Sequence, residues 1–170
     1  MRATLHTTPV PAGGPEPAGI VVVEPEDGGE DTVVMYWPDD AVLPEGRIYE
    51  VVDGFEGTAA GRTPLFAQLT WLNAAGDPAV AQAAERGGRE RIHPAVRDVD
   101  GLVGVTVLRS SDERIVVIGL ATGTEPLAEV RDRIMRTELL PGEDPALLPG
   151  PDRVELGRVL RADLPAGVRS

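Results

Sequence analysis

The sequence predicts an α+β fold built on an antiparallel sheet, and the order of its elements carries the prediction. From residue 64 onward the patterns indicate a strand, a helix, a hairpin of two strands, a second helix and a last strand. This order is the split βαβ arrangement, which is called ferredoxin-like. Residues 19–56 contain further strand patterns, so about seven strands are expected in total. A chain of 170 residues suffices for one well-buried core, and we predict one packed domain.

Residues 1–18 are predicted to form a flexible N-terminal arm. Pro and Gly are dense between residues 9 and 19, which disfavours regular structure. The arm lacks the basic start and the continuous apolar core of a signal peptide, and no apolar run in the chain approaches the length of a membrane span. We therefore expect a cytoplasmic protein with no membrane partner.

Residues 19–56 predict three strands. The runs "GIVVVE" and "TVVMYW" are rich in β-branched and aromatic residues, and the acidic turn "PEDGGED" between them indicates a hairpin. The segment "GRIYEVVDGF" alternates in the way that a strand with one wetter face does. The carboxylates of the turn do not have the spacing of an EF-hand calcium loop, so a solvated hairpin turn is predicted there.

Residues 64–164 predict the complete βαββαβ unit. Its first strand is "TPLFAQLTWLN". Asp77 followed by Pro78 is a typical helix start, because Asp caps free amides and Pro suits the first turn. This helix is expected to end or kink at Pro94. The hairpin "GLVGVTVLRSSDERIVVIGLAT" follows, and after it come a helix that begins near Thr124 and the final strand "RVELGRVLRADL".

The charge and composition of the chain exclude several classes of function. A formal net charge of -12 disfavours nucleic acids and anionic membranes as partners, because no concentrated basic patch offsets it. The chain has no Cys, which excludes disulfides, thiolate metal sites and a Cys nucleophile. It also has no Lys, which excludes a Walker A phosphate loop and a pyridoxal phosphate Schiff base.

His93 is the candidate catalytic residue. It is the only histidine of the predicted folded region, because His6 falls in the predicted arm. A general base working near neutral pH is most simply a histidine, since imidazole titrates there without a large shift. The alternative is a structural role at the end of the helix, as a partner of the helix dipole. One such histidine and no Cys do not make a zinc site, so no metal is predicted.

Three further residues are candidates for binding a substrate. Trp71 and Asn73 lie two apart at the end of a predicted strand, so their side chains are expected on one face. An aromatic ring beside an amide suits a planar, oxygen-bearing ligand. The alternative makes Trp71 a core anchor and Asn73 a turn residue before the Asp77 cap. Trp37 ends its own strand and is the third candidate, with packing between the two parts of the chain as its alternative.

The element order resembles the dimeric α/β-barrel superfamily, and in particular the antibiotic biosynthesis monooxygenase-like proteins. Members of that family carry a stretch near P-x-x-x-x-x-P-G-F-x-G before the second strand. Residues 93–104, "HPAVRDVDGLVG", have this spacing, with Asp100 and Leu102 substituted. The resemblance covers about two-thirds of the chain. It implies two ferredoxin-like sheets packed face to face as a barrel.

The same resemblance predicts a degenerate internal duplication. In the family the third strand commonly ends in Trp-Glu-Ser, and the matching positions are residues 121–123 in the complete unit and residues 37–39 in the N-terminal part. "GIVVVEPEDGGEDTVVMYWPDDA" then corresponds to "GVTVLRSSDERIVVIGLATGTEPL". Residues 19–56 are therefore predicted to be a half-repeat that keeps its hairpin and last strand and has lost its helices. The barrel is expected either in a homodimer or as an intrachain pseudo-dimer.

The resemblance implies an enzyme of bacterial secondary metabolism. Its expected reaction is the oxidation, cyclisation or isomerisation of an aromatic or polyketide-like intermediate, without a bound cofactor. In quinone-forming members an Asn four residues before the motif Trp helps to hold the phenolic substrate. Here Val33 and Val117 occupy the two corresponding positions. This substitution favours the alternative, a non-catalytic ligand-binding or assembly protein on the same fold.

Overall fold

The computed structural model describes residues 1–7 and 14–165, and it closes eight antiparallel strands of one chain into a barrel. The strands are β1 (Arg2–Thr7), β2 (Gly19–Pro25), β3 (Thr32–Trp37), β4 (Ile48–Glu56), β5 (Phe66–Leu72), β6 (Leu102–Ser110), β7 (Ile115–Ala121) and β8 (Arg153–Asp163). Their order around the barrel is β1-β3-β2-β8-β5-β7-β6-β4, and β4 pairs with β1 to close it. The predicted antiparallel α+β architecture is confirmed.

The helices all follow β5 in the chain. In the described residues they are α1 (Pro78–Gly87), a π-helical turn (Gly88–Ile92), α2 (His93–Val96), α3 (Thr124–Arg136) and a short 3-10 helix (Pro145–Leu147). Asp77 caps α1 as predicted, because its carboxylate accepts a hydrogen bond from the Ala79 amide at 2.8 Å. Pro94 does not end the helical segment. The chain widens into the π-helical turn before Pro94, which has no amide hydrogen to donate to an α-helical bond. None of the helices in the described part of the chain is long and apolar enough to cross a membrane.

The predicted flexible arm over residues 1–18 needs a correction at its beginning. Arg2–Thr7 form β1, which pairs with β3 on one side and β4 on the other and so completes the barrel. His6 therefore belongs to the folded part of the chain. Residues 8–13 lie outside the described residues, and residues 14–18 contain no helix or strand. The sequence signal for β1 was the alternating pattern of "ATLH". This pattern is weak because it is short and half of its residues are polar.

The barrel consists of two halves that pair in the same way. We call β1–β4 the N-terminal half and β5–β8, with the helices, the C-terminal half. The strand orders are β4-β1-β3-β2 and β8-β5-β7-β6, which are identical when each half is numbered from its own first strand. Where the halves meet, β4 and β8 each carry one extra residue, Val52 and Leu160. The N-terminal half thus has four strands, rather than the three of the predicted half-repeat.

The apolar core lies mainly inside the barrel, with one smaller cluster on the outer face of each half. Residues of β3 alternate between the interior, where Val34 and Tyr36 lie, and the outer face, where Val33, Met35 and Trp37 lie. All six residues of β3 are buried, so both faces of this strand are covered. The outer cluster of the C-terminal half lies under the helices and consists of Val96, Val99 and Leu102.

Candidate functional site

His93 stacks on an aromatic ring of the barrel wall. Its imidazole lies parallel to the ring of Phe55 in β4, with ring centroids 3.9 Å apart and planes inclined by 14°. Arg89 of the π-helical turn approaches the Asp53 carboxylate to 3.8 Å, which holds the same stretch of helix against β4. His93 begins α2 and is not the last residue of the helical segment, because that segment continues to Val96. His93 still lies in the last turn of this segment, so the predicted alternative, a partner of the helix C-terminus, stays a prediction beside the catalytic one.

A cavity of about 180 Å³ lies beside Phe55 at one end of the barrel. We call this the cavity end, where β4 and β8 finish and β5 and β6 begin. Residues 57–65 cross this end, held by hydrogen bonds from Gly57 N to Val103 O at 3.0 Å and from Ala59 N to Leu102 O at 2.9 Å. The lining combines Phe55, Glu56, residues 60–64, residues 103–106, Leu120, Ala162 and Leu164.

The wall of the cavity is apolar in its interior and charged at its rim. Val103 and Leu120 belong to the barrel core, and Ala162 and Leu164 pack against that core. The exposed Arg62 stands at the rim, between this cavity and an open cleft of about 420 Å³ beside α3. Such a wall suits a ligand with an apolar body and a polar or charged end.

The cleft beside α3 carries charges of both signs. Its carboxylates come from Asp100, Glu125 and Glu129, and its guanidinium groups from Arg62 and Arg133. Arg133 is already occupied, since it binds Glu129 at 2.8 Å and Asp98 at 2.5 Å. Arg62 has no ion pair or hydrogen-bonded side-chain partner within the residues that the structure describes.

Tyr36 places a phenol group inside the barrel beside Thr106, a residue that lines the cavity. The Tyr36 side chain is fully buried. Burial raises the pKa of Tyr36 to about 12, and the neighbouring Thr106 hydroxyl offsets part of that rise. Apart from this contact with Thr106, the Tyr36 hydroxyl has no hydrogen-bond partner in the described part of the chain. The buried phenol thus stays protonated over the physiological range.

Trp71 lies at the opposite end of the barrel from the cavity. Its ring packs against the barrel core, and the Arg153 guanidinium carbon sits 4.6 Å from the ring centroid. Arg153 also pairs with the buried carboxylate of Glu155, which accepts a hydrogen bond from Thr32 Oγ1 at 2.8 Å. Arg153 therefore already covers one face of the ring that the sequence suggested for a planar ligand.

Asn73 is a turn residue. Its φ of 60° places it in the left-handed region that Asn tolerates better than most residues. Its Oδ1 accepts from Asp77 N at 3.1 Å, and its Nδ2 donates to Asp77 O at 2.9 Å and to Glu113 O at 2.8 Å. The predicted structural alternative describes this residue. The structure does not bring Trp71, Asn73 and His93 into one site.

Trp37 is buried on the outer face of the N-terminal half, with an exposed fraction of 2%. Its Nε1 donates to Thr4 Oγ1 at 3.0 Å, and the same hydroxyl lies 2.9 Å from His6 Nε2. Leu43 and Ala41 pack against it from the segment that follows β3. Trp37 therefore lies neither at the cavity nor between the two halves, where the packing alternative had placed it.

Sequence reasoning did not find the residues that surround the cavity. Phe55, Arg62 and Thr106 come from a strand end, a connecting loop and another strand, and no local motif links them. The alternation of β4 indicates which face of the sheet Phe55 lies on, but not which residues it meets there. Their meeting depends on the pairing of β4 with β6, which is a contact between residues far apart in the chain.

No protein-family model and no curated protein sequence matches this chain. Solved structures do match it. An uncharacterized ferredoxin-fold protein related to antibiotic biosynthesis monooxygenases, from Listeria monocytogenes 4b F2365, has a TM-score of 0.55 and 10% sequence identity, with 94% of each chain covered. A heme-degrading enzyme from Listeria monocytogenes has a TM-score of 0.52 and 9% identity, with 93% of this chain and 99% of that chain covered.

An anthrone oxidase-like protein is also similar, with a TM-score of 0.56 and 12% identity, covering 97% of this chain and 94% of that chain. Proteins at such low identity share the fold, and their site residues need not correspond. The structural neighbours of this chain are thus antibiotic biosynthesis monooxygenase-like proteins of the ferredoxin fold, as the resemblance implied.

Proposed function

We propose that this chain, which has the fold of the antibiotic biosynthesis monooxygenase-like proteins, is a cytoplasmic small-molecule enzyme of bacterial secondary metabolism. Its substrate is an aromatic or polyketide-like compound that binds in the cavity beside Phe55, and His93 is its proton acceptor. The observation that carries the proposal is the His93–Phe55 stack, since Phe55 also lines the cavity and so connects the imidazole with it. Imidazole changes its protonation state near neutral pH, which a general base requires.

The geometry supports one chemical step. Phe55 lines the cavity and stacks on the imidazole, and its ring packs in the outer cluster of the C-terminal half. Phe55 would therefore have to turn aside for a substrate ring to take its place in the stack with His93. His93 would then remove a proton from an acidic O–H or C–H group of that ring system. The anion that forms would be stabilised by the unpaired guanidinium of Arg62 at the rim. Oxidation by oxygen, cyclisation and isomerisation all begin with such an anion, and the geometry does not select among them.

Haem does not fit this site, although one structural neighbour degrades it. A porphyrin ring is much larger than a cavity of about 180 Å³. The face of His93 is occupied by Phe55, and the outer face of the sheet behind it is filled by Ile92, Ala95 and Val105. We therefore derive no step that involves haem or any other cofactor.

Oxygen uptake and product analysis with single-ring phenolic compounds test the proposal. We expect turnover in the native protein and a loss of about a hundredfold or more in His93→Gln, which keeps the size of the side chain and removes the base. His6→Gln is the matched control, because His6 lies on the outer face of the N-terminal half. Unchanged turnover in His93→Gln would show that His93 is not the proton acceptor. Trp71→Ala should keep its turnover, because Trp71 lies at the opposite end of the barrel.

A second candidate function is a non-catalytic ligand-binding or assembly protein on the same fold. The observation that favours it is the filled space between the helices and the sheet of the C-terminal half. Val96, Val99 and Leu102 are each 1% exposed there, and Val130 and Ile134 of α3 pack against them. A protein that binds aromatic compounds at the cavity with no turnover of any of them would support this second function.

The internal duplication remains our proposal for the origin of the two halves. The same strand order and the equivalent extra residues in β4 and β8 support it. If it holds, one chain supplies the barrel that the dimeric relatives build from two. Light scattering of the purified protein should then give a mass near 18.0 kDa. A stable species of twice that mass at every concentration would contradict the expectation of an intrachain pseudo-dimer.

A further inference from the structure

We propose that the cavity beside Phe55 selects single-ring aromatic carboxylates, which Arg62 recognises by their charge. The inference rests on the proposed function, which places the ligand in this cavity. It adds the chemical class of the ligand and the residue that binds its charged group. It does not depend on His93 or on turnover. The argument comes from the size of the cavity, the chemistry of its wall and the state of Arg62.

The size of the cavity limits the ligand to about one ring. An engineered apolar cavity of about 150 Å³ in another protein holds benzene. The cavity beside Phe55 measures about 180 Å³ and is open on one side, so it admits a ring with one small substituent. Three fused rings exceed this volume. Within the broad class of aromatic compounds, the small members are therefore the ones that fit.

The wall of the cavity suits the face of a ring. Val103, Leu120 and Leu164 supply aliphatic surface, and Phe55 adds to the lining at the end of β4. Burying a ring against such a surface is favourable, because it removes apolar area from water. The hydroxyl of Thr106 is the polar group along this wall. The wall thus binds the body of the ligand and leaves its substituent at the rim.

Arg62 is the group at the rim that lacks a partner. In the described residues the guanidinium groups are bound to carboxylates or carbonyl groups, with three exceptions, which are Arg62, Arg97 and Arg136. Of these three only Arg62 lines the cavity. A chain with a net charge of -12 repels anions in general, so a guanidinium that forms no ion pair within the described residues is the group near the cavity that attracts one. Guanidinium and carboxylate groups match as bidentate hydrogen-bond partners.

The loop geometry keeps Arg62 at the rim. Its backbone amide donates to Ala59 O at 3.0 Å, and Ala59 is buried in the barrel core. Gly61, with a φ of 81°, makes the left-handed turn that leads into Arg62. Glu56 lines the same rim. The Glu56 carboxylate favours a ligand with one negative charge over one with two, because a second carboxylate would meet a like charge.

Calorimetric titration with benzoate and with its neutral analogue benzyl alcohol tests the inference. At low salt we expect the native protein to bind benzoate about tenfold more tightly than benzyl alcohol, the difference of one charge-assisted interaction. Arg62→Gln should bind both within about twofold of each other and keep its affinity for benzyl alcohol. Arg97→Gln, the matched control with another unpaired arginine, should keep the native ratio. Phthalate, with two carboxylates, should bind more weakly than benzoate.

The outcomes separate the parts of the proposal. If Arg62→Gln keeps the preference for benzoate, or if the native protein shows no preference, the role of Arg62 is overturned. If the native protein binds neither compound, the cavity itself is overturned as a ligand site. Ala162→Leu should fill the cavity and weaken both compounds, and unchanged binding in that variant would place the ligand elsewhere. Binding with the expected preference but no turnover would remove only the catalytic role of His93.

Discussion

The two halves of the barrel share one pattern of strand pairing and differ in what covers their outer faces. The C-terminal half is covered by the π-helical turn, α2 and α3, whose residues form the outer cluster with Val99 and Leu102. The described residues of the N-terminal half contain no helix, and its outer cluster is packed by Ala41 and Leu43 from the segment after β3. A four-stranded sheet can therefore do without its helices when its outer apolar face is small enough for a short segment to cover.

One pair of equivalent positions shows how the difference is achieved. Trp37 lies opposite Arg2 in the N-terminal half, and Ala121 lies opposite Phe66 in the C-terminal half. In the N-terminal half the large indole fills the outer face itself. In the C-terminal half the small alanine leaves room, and the helices supply the cover. A large strand residue has taken over the packing role of a helix.

Polar contacts hold the segment after β3 over the outer cluster of the N-terminal half. The Arg2 guanidinium donates to the carbonyl oxygens of Pro38, Asp39 and Ala41, with 2.8 Å to Ala41 O. The C-terminal half uses an ion pair for a similar purpose. Arg91 in the π-helical turn binds Glu143 at 2.9 Å, which ties residues 137–143 to the helical layer. An arginine thus contributes polar contacts to the covering segments of each half.

Removing the indole of Trp37 should have the largest effect on stability. Trp37→Ala leaves a cavity in the outer cluster of the N-terminal half and should lower the free energy of unfolding by about 4 kcal/mol. Trp37→Phe keeps most of the volume and loses the hydrogen bond to Thr4, so a loss of about 1 kcal/mol is expected. Urea denaturation measures both. If Trp37→Ala lowers the free energy of unfolding by less than Trp37→Phe does, the indole does not cover this half.

Breaking the ion pair of the C-terminal half should have the next largest effect. Glu143 is 3% exposed, and Glu143→Gln leaves the Arg91 guanidinium buried without a counter-charge, which should cost about 3 kcal/mol. Burial alone would raise the pKa of Glu143. The hydrogen bond from Leu140 N and the Arg91 guanidinium outweigh burial, so the pKa is held below its usual value.

The pH dependence of this effect has a definite sign. Because the folded state lowers the pKa of Glu143, its stabilisation is present above the ordinary Glu pKa and is lost as the pH falls through the folded value. The difference between the native protein and Glu143→Gln should shrink on acidification. Glu138→Gln, an exposed residue of the same loop, is the control and should be nearly neutral. A pH-independent difference would contradict the ion-pair explanation.

Tyr36 tests the core that both halves share. Its pKa rises from 10.0 to about 12 on folding, so the folded state holds the phenolic proton more tightly. The stabilisation is complete below pH 10 and is lost as the pH rises through 12, which amounts to about 3 kcal/mol. Tyr36→Phe should lack this alkaline loss, and near neutral pH it should be neutral or slightly stabilising because it removes an incompletely bonded hydroxyl. Equal alkaline sensitivity in both proteins would contradict the shift.

Alanine substitutions at two adjacent glycines, Gly87 and Gly88, should give the smallest changes in stability, and the two changes should have opposite signs. A Cβ on Gly87 would lie 2.6 Å from Glu143 Oε1, so Gly87→Ala should disturb the ion pair and cost about 1 to 2 kcal/mol. A Cβ on Gly88 would meet nothing within 4 Å, and Gly88→Ala should stabilise the helical segment by up to about 1 kcal/mol. Thermal denaturation of the two variants distinguishes them. Effects of the same sign would mean that Gly87 is not needed for the approach of Glu143.

Local patterns in the sequence were sufficient for most of the elements. The strands of both hairpins, the Asp77 cap of α1 and the start of α3 follow from alternation, β-branched content and capping chemistry, which act between neighbouring residues. The correspondence of Gly19 with Gly104 could also be read from the sequence. Both glycines hold the same place in the pairing, opposite Tyr36 and Leu120.

Long-range contacts decided the remainder. The short and partly polar β1 becomes a strand because β3 and β4 offer it two open edges, which only the folded barrel provides. Asn73 and Trp71 were grouped by their spacing, but the left-handed turn and Arg153 give each a different neighbour. The stack of His93 on Phe55, and the meeting of Phe55, Arg62 and Thr106 at one cavity, require the chain to close on itself. Periodicity records which face a residue takes, whereas the partner on that face is set by the packing of distant segments.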